Sequence, residues 1–547
     1  MAIPDAGKSG VAEKFLEKPP QILPPAQTKP PEIVIEDSRE LEDAGAGPAF
    51  FVKRIDIEGN TIFDGQTLAP LVDVGDGMEI TLGILTLMAN EVSSFYASNG
   101  YFLTRAYIPR QEILDGVVRM AVAEGRLGKI EVKGNESIKT QDLLKRMDRI
   151  RREPVLREQT LERTLLELND LMGVNVRSVL KPGDLPGTSD LVLDVTEAPP
   201  YAFSFDADNF GSRFTGRNRF GVSAAAGNLA VLGDQFFFRG VRSDLNQSFA
   251  GPSYVLPLTE YGTTLKAAYI FSGQNLGENL AELSAGGETQ LYQFELGQPV
   301  YRSKNAQIKI AAAFDYKKSD NFLLNQLSSR DETRYLRFGL NGNFGDRFLG
   351  RSFFDVSWQQ GIGSHSGAVP TSRAEGNGDI FASKFNVTRF QGTGILKSYF
   401  IFKVSGQAVD RRALSVDLFS IGGYGSVRGY PLGEFLGDQG YAVSLEQAIP
   451  FPWAVPVGFG NLTLDNVLSF NGFIDHGGVI VKNPQAGEND EYLTGVGGAV
   501  TVNIPKFQKW TPASSFSLGY AAPQWGPQPT DGRSHTWYLN GALSFVF

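Results

Sequence analysis

From Tyr201 to the end of the chain, apolar and polar residues alternate with a period of two. Leu336, Phe338, Leu340 and Phe344 share one parity, while Arg337, Asn341 and Asn343 share the other. Ile308, Ile310, Ala312, Phe314 and Tyr316 likewise oppose Lys309 and Asp315, and Phe400, Phe402 and Val404 oppose Lys403, Ser405 and Gln407. Successive side chains of a strand point to opposite faces, so the pattern predicts strands with one apolar and one polar face. Two architectures share it. A transmembrane barrel turns the apolar face outward, because lipid cannot satisfy polar groups and closure removes unpaired edges. A soluble sandwich buries that face in a core. The last segment favours the barrel: Trp537, Leu539, Gly541, Leu543, Phe545 and Phe547 form one apolar face against Tyr538, Asn540 and Ser544. In a soluble sheet such a terminal face is an aggregation hazard, whereas in a barrel it meets lipid and closes onto the first strand.

Ahead of Tyr201 the period changes, and a repeat appears. Ile55-Asp56-Ile57-Glu58-Gly59-Asn60 returns as Ile130-Glu131-Val132-Lys133-Gly134-Asn135. Each copy reads as a strand closed by a Gly-Asn turn, then a short helix and a longer amphipathic one. The first long helix is predicted to bury Ile84, Leu87, Met88, Val92 and Phe95 and to stop at Asn99-Gly100; the second buries Leu161, Leu165, Leu168 and Met172 and stops at Gly173. Two strands close each copy, Tyr101 to Pro109 with Val117 to Glu124, then Val174 to Leu180 with Leu191 to Val195. The result is two β-α-α-β-β modules, 50–125 and 126–199, followed by a barrel over 200–547. Residues 1–49, with Pro19-Pro20, Pro24-Pro25 and Pro30-Pro31, read as an extended linker. Val11 to Lys18 forms a short candidate helix within it.

Composition narrows the function. No run of 18 apolar residues occurs, so no transmembrane helix is expected, which says nothing against a barrel. A net charge of -9 argues against nucleic acid as the partner, and the absence of cysteine leaves no disulfide or thiolate metal site. Met1 to Asp5 carries neither a basic region nor an apolar core, so an export signal is expected to have been removed if the barrel sits in an outer membrane. Enzyme chemistry finds little support. The histidines are His365, His476 and His535, no Gly-x-Ser-x-Gly elbow exists, and adjacent Asp475 and His476 point to opposite faces of a strand. Gly7-Lys8-Ser9 lacks the rest of a phosphate loop. No catalytic residue, cofactor or metal site is expected.

The segment that carries chemistry is the long loop Ile421 to Gly440, with Val427-Arg428-Gly429-Tyr430, followed by a strand with Phe473-Ile474-Asp475. Parity sends Ser469, Asn471, Phe473 and Asp475 to one face and Leu468, Phe470 and Ile474 to the other. A carboxylate covered by a folded-in loop wants a cation. Arg428 supplies a rigid fork that Lys does not, Gly429 lets the backbone turn beside the wall, and Tyr430 and Phe473 are placed to shield the pair.

In this order — two modules, the loop tetrad, the Phe473-Ile474-Asp475 element and terminal Phe547 — the chain resembles the two-partner secretion transporters of Gram-negative outer membranes, the haemolysin secretion/activation type. The modules then look like POTRA domains. The resemblance covers residues 50–547. It implies a sixteen-stranded barrel with the tetrad between strands eleven and twelve, and five strands after it near Tyr441–Ile449, Leu468–His476, Thr494–Ile504, Ser514–Ala521 and Trp537–Phe547. It implies that Arg428 and Asp475 anchor the loop inside the barrel, that Val11 to Lys18 loosely matches a plug helix, and that Phe547 is the signal read by the barrel assembly machinery. The implied partner is a large secreted β-helical exoprotein, captured unfolded in the periplasm by strand addition to open module edges; a monomer in outer-membrane lipid is expected. Two alternatives carry different functions: insertion of other barrels, which in related insertases goes with three or more modules, and passive diffusion, which needs neither modules nor loop pair.

Overall fold

The computed structural model describes residues 33–35, 48–185, 187–245, 247–365, 369–458, 461–506 and 511–546. The candidate plug helix Val11 to Lys18 and the terminal Phe547 lie outside the described residues. Residues Thr28–Ala198 and Pro199–Phe547 fall in two separate compact units.

In the first unit the repeat is built twice with the same devices. Arg54–Glu58 runs parallel to Val117–Ala123, which pairs antiparallel with Arg105–Tyr107. Arg126–Lys133 runs parallel to Thr188–Glu197, which pairs antiparallel with Val174–Pro182. Each Gly-Asn turn needs its glycine. Gly59 sits at φ +88° and Gly134 at φ +78°, and a Cβ on either would lie 2.4 Å from a carbonyl oxygen, that of Val122 or Val195. The asparagine then donates three residues ahead, to Phe63 (2.8 Å) and Ile138 (2.7 Å). A glutamate late in each copy satisfies the turn's N–H groups. Glu124 accepts from Thr61 (2.7 Å) and Ile62 (2.8 Å), and Glu197 from Glu136 (2.9 Å), Ser137 (3.0 Å) and Ile138 (3.0 Å). Burial holds the Tyr96 phenol well above its usual range, helped by its bond to Glu124.

The first long helix departs from the sequence expectation at Ile84 and Leu87, while Val92 is buried and Met88 and Phe95 pack against the core. Leu82–Ser98 buries Leu85, Ala89, Val92 and Tyr96, while Leu87 is 63% and Ile84 39% exposed. The apolar run is wide enough for several stripes, and the sheet selects the one containing Tyr96, whose hydroxyl has Glu124 to bond. The helix does stop before Asn99-Gly100. The second long helix, Glu158–Asn169, buries Leu161, Leu165 and Leu168 but ends before Met172. The side chain of Asn169, the last residue of the helix, bonds both backbone groups of Val176, accepting its N–H (2.6 Å) and donating to its carbonyl (3.0 Å).

In the second unit, among the described residues, sixteen strands close into one antiparallel barrel. Strand 1, Tyr201–Asp208, pairs with strand 16, Thr536–Val546, from Ala202 opposite Val546 to Asp208 opposite Asn540. Strands 11 to 15 are Tyr399–Val409, Gln439–Pro450, Leu468–Ile480, Glu491–Ile504 and Ala513–Trp525. The long loop therefore joins strands 11 and 12, and five strands follow it. The alternation resolves as the barrel requires. Phe338 (58%), Trp537 (54%) and Leu539 (58%) face outward, while Asp315, Tyr538 and Asn540 are buried within. Inward charges pair across strands, as Arg337 does with Asp315 (3.0 Å) and Glu295 (3.3 Å).

Candidate functional site

Between strands 11 and 12 the chain enters the lumen as a tight excursion based on two adjacent glycines. Gly422 and Gly423 both have positive φ, +102° and +88°. Gly423 N–H donates to the Val427 carbonyl (3.1 Å), closing a turn that presents Arg428 to the wall. Ser444 and Glu446 on strand 12 face the same way as Phe473 and Asp475 on strand 13, because Ser444 pairs with Asp475 and Glu446 with Phe473.

Arg428 reaches all four. Its Nε donates to Asp475 Oδ2 (2.7 Å) and its Nη2 to Oδ1 (2.9 Å), a forked contact, and its backbone N–H donates to Oδ2 (3.0 Å). Nη1 donates to Glu446 Oε2 (3.0 Å) and Nη2 also to Ser444 Oγ (3.2 Å), while Cζ lies 3.3 Å from the centre of the Phe473 ring. Asp475 is fully buried and Arg428 is 8% exposed. Such a pair, with four of the five guanidinium N–H groups bonded, is a strong positional lock even where its net stabilisation is small.

The rest of the tetrad fixes the loop on the other side. Gly429 has φ +98°, and a Cβ there would lie 2.8 Å from the Ala522 carbonyl carbon, so strand 15 admits no side chain. Its N–H donates to the Tyr538 hydroxyl (3.0 Å) on strand 16. Val427 and Tyr430 are buried together with Ile421, Val479 and Leu493, and the Tyr430 hydroxyl donates to the Trp525 carbonyl (3.1 Å). Phe473 lies against the guanidinium of the ion pair, while Tyr430 packs into a neighbouring apolar cluster. Ile474 faces outward at 43% exposure and takes no part in the site. Tyr424 stacks on Phe210 at 3.8 Å, tying the loop to the segment after strand 1. A cavity of about 350 Å³, lined by Asn386, Lys403, Asn471 and Thr501, adjoins the pair.

Several participants were not singled out from the sequence. Glu446 was legible as an inward carboxylate on the neighbouring strand. Gly495 was not: a Cβ there would stand 1.8 Å from the Arg428 carbonyl oxygen, so the loop lies directly on that glycine. A second ionic cluster holds the loop's root. Fully buried Asp438 accepts from Arg373 (2.7 and 3.1 Å), from Ala413 N–H (2.6 Å) and from Lys482 N–H (2.8 Å). Arg412 forks onto Glu488 at 2.7 and 2.8 Å. Those bonds from Arg412, with Arg373 nearby, pull the Glu488 carboxyl down to about 2 against the opposing effect of burial. Three loops are thus joined where the excursion begins and ends. No sequence signal marked these residues, which lie far apart along the chain. Among the described residues no cluster of metal-ligating side chains occurs.

Residues 187–502 match the family described as haemolysin secretion/activation protein ShlB/FhaC/HecB, and residues 50–125 match the ShlB-type POTRA domain. The heme/hemopexin transporter protein HuxB of Haemophilus influenzae is 26% identical over 443 residues, 78% of this chain and 76% of HuxB. The outer membrane transporter CdiB of Escherichia coli strain 536 is 24% identical over 426 residues, 75% of this chain and 70% of CdiB. In fold, the structure of CdiB from Escherichia coli matches with a TM-score of 0.74 at 20% identity, covering 93% of each chain. Tandem modules, a closed sixteen-stranded barrel and a family match spanning more than half the sequence agree, and the chain belongs to the haemolysin secretion/activation protein family of outer-membrane transporters.

Proposed function

We propose that this two-partner secretion transporter captures its exoprotein unfolded, through the periplasmic modules, and passes it through the barrel under control of the latched loop. The observation that carries the reading is the buried fork between Arg428 and Asp475. It holds an extracellular loop inside the lumen, against strands 12 to 16, where a passing chain must meet it. A passive pore has no use for such a fixture. The lumen itself is lined with polar and charged side chains, which suits an extended polypeptide with its peptide groups still hydrated. Folding of the client outside the cell supplies direction without a nucleotide site.

Co-expression with the exoprotein encoded beside it tests the reading. Arg428→Ala is expected to reduce exoprotein in the medium at least tenfold on quantitative immunoblots while the heat-modifiable barrel stays near its normal level. Undiminished secretion would remove the latch from the mechanism.

A further inference from the structure

Strands 5 to 8 of the barrel rise past the membrane band on the extracellular side. On strand 8, Gln326–Gly345, every outward position from Leu336 to Phe344 is apolar, close to the roughly 9–11 residues that a tilted strand needs to cross a bilayer. Arg334 is the next outward residue. Register places it in one row with three tyrosines on the lipid-facing side. Tyr269 of strand 5, Thr264–Asn275, stands opposite Tyr292 of strand 6, Gly286–Arg302. Tyr292 stands opposite Tyr316 of strand 7, Ala306–Leu323, and Tyr316 opposite Arg334. The ring centres are 4.9 and 6.0 Å apart, and the Arg334 guanidinium carbon lies 5.6 Å from the centre of the Tyr316 ring. Higher up, Arg330 forks onto Asp320 (2.6 and 2.8 Å), with Lys318 3.5 Å from the same carboxylate. Arg334 itself makes no hydrogen bond or ion pair among the described residues. Strands 12 to 16 differ. Their outward rim exposes Tyr492, Tyr520 and Trp537, and those five strands contain no Lys or Arg.

We propose that this row is a binding site for lipid A, the phosphorylated glucosamine disaccharide lipid of the outer leaflet in Gram-negative outer membranes. Tyrosine belts mark the level of the headgroups, so the row stands where that disaccharide lies. The flat C–H faces of the sugars rest on the Tyr269, Tyr292 and Tyr316 rings. A phosphate takes the parallel N–H groups of Arg334, a planar fork that matches its oxygens and has no carboxylate to release first. Below the row the acyl chains follow the exposed side chains of Phe294, Leu296 and Leu336. The row and the two above it carry three cations, Lys318, Arg330 and Arg334, and three carboxylates, Glu288, Asp320 and Glu332. They form no net positive surface, so the attraction is not a diffuse one for any anionic lipid. One unpaired guanidinium beside three rings selects a headgroup that offers both sugar and phosphate.

The test is a titration of the full-length, delipidated transporter in detergent with bis-phosphorylated lipid A, read as bound lipid by native mass spectrometry. Wild type should retain one lipid A. Arg334→Ala should bind at least about tenfold more weakly, the loss expected for a charge-assisted hydrogen bond, and Tyr292→Ala should weaken binding without a change of charge. Both side chains face outward and Arg334 is unpaired, so heat-modifiable mobility should show both variants folded. Dephosphorylated lipid A should bind wild type at least about tenfold more weakly than the intact lipid, and phosphatidylglycerol should not displace it at equal concentration. Arg389→Ala is the control. Arg389 faces lipid at the periplasmic end of strand 10, Phe381–Gly392, paired with Asp346 (2.7 Å), and its loss should leave lipid A binding as in wild type. Wild-type affinity in folded Arg334→Ala or Tyr292→Ala, or phosphatidylglycerol bound as tightly as lipid A, overturns the proposal.

Discussion

Replacing Arg428 by alanine perturbs a site whose bookkeeping is explicit. Asp475 accepts three hydrogen bonds from Arg428 and is fully buried, so the variant strands a carboxylate with Glu446, a second one, close by. Removing one partner of a buried ion pair costs about 3–5 kcal/mol, and the adjoining cavity admits water, which favours the lower end. Since about 1.4 kcal/mol is a factor of ten, the fraction of released loop should rise by roughly two orders of magnitude or more. Asp475→Ala is milder, because Arg428 keeps Glu446 at 3.0 Å and Ser444 at 3.2 Å. The double variant should be no worse than Arg428→Ala, with a coupling of about 2–3 kcal/mol between the two positions. Arg428→Lys should rescue little, as a point charge cannot reach Asp475, Glu446 and Ser444 together. The chain has no cysteine, so a single thiol at exposed Gly425, where a Cβ meets nothing within 4 Å, reports loop position by spin labelling beside the secretion blots. Strictly additive losses, or a loop that stays in place in Arg428→Ala, would refute the latch.

Gly495→Ala places a methyl 1.8 Å from the Arg428 carbonyl oxygen without touching any charge, and should displace the same spin label and lower secretion comparably. Asp438→Asn should loosen the loop root and weaken secretion by about 2–3 kcal/mol of lost anchoring, read as faster protease cleavage between strands 11 and 12 on intact cells. Glu488 has a folded value below its unfolded one, so its contribution, at most about 3 kcal/mol, is complete above pH ~4.5 and lost as pH falls towards about 2. Loop protection should therefore persist at pH 5 and fail near pH 2, and Glu488→Gln should abolish that dependence in the same cleavage assay.

Local chemistry alone determined much of this protein. Alternation along Leu336 to Phe344 and Trp537 to Phe545 specified strands and which residues share a face, because successive side chains of a strand point to opposite sides, while closure into a barrel decided which face is outward. The Gly-Asn repeat marked two equivalent turns, since Gly59 and Gly134 need the same positive φ. The Arg428 and Asp475 pairing was implied by the family resemblance of their two motifs, and residue chemistry added only that a guanidinium fork suits a covered carboxylate. Tertiary structure decided what depends on neighbours distant in sequence. It chose Leu85, Ala89, Val92 and Tyr96 as the buried stripe, because Glu124 stands where only that phase brings Tyr96 to it. It sent Tyr430 away from the ion pair, set Gly495 beneath the loop, and gathered Arg373, Arg412, Asp438 and Glu488 from three loops into one cluster. It also laid Ile33–Ile35 along Val174–Pro182, a pairing between segments some 140 residues apart that no local pattern specifies.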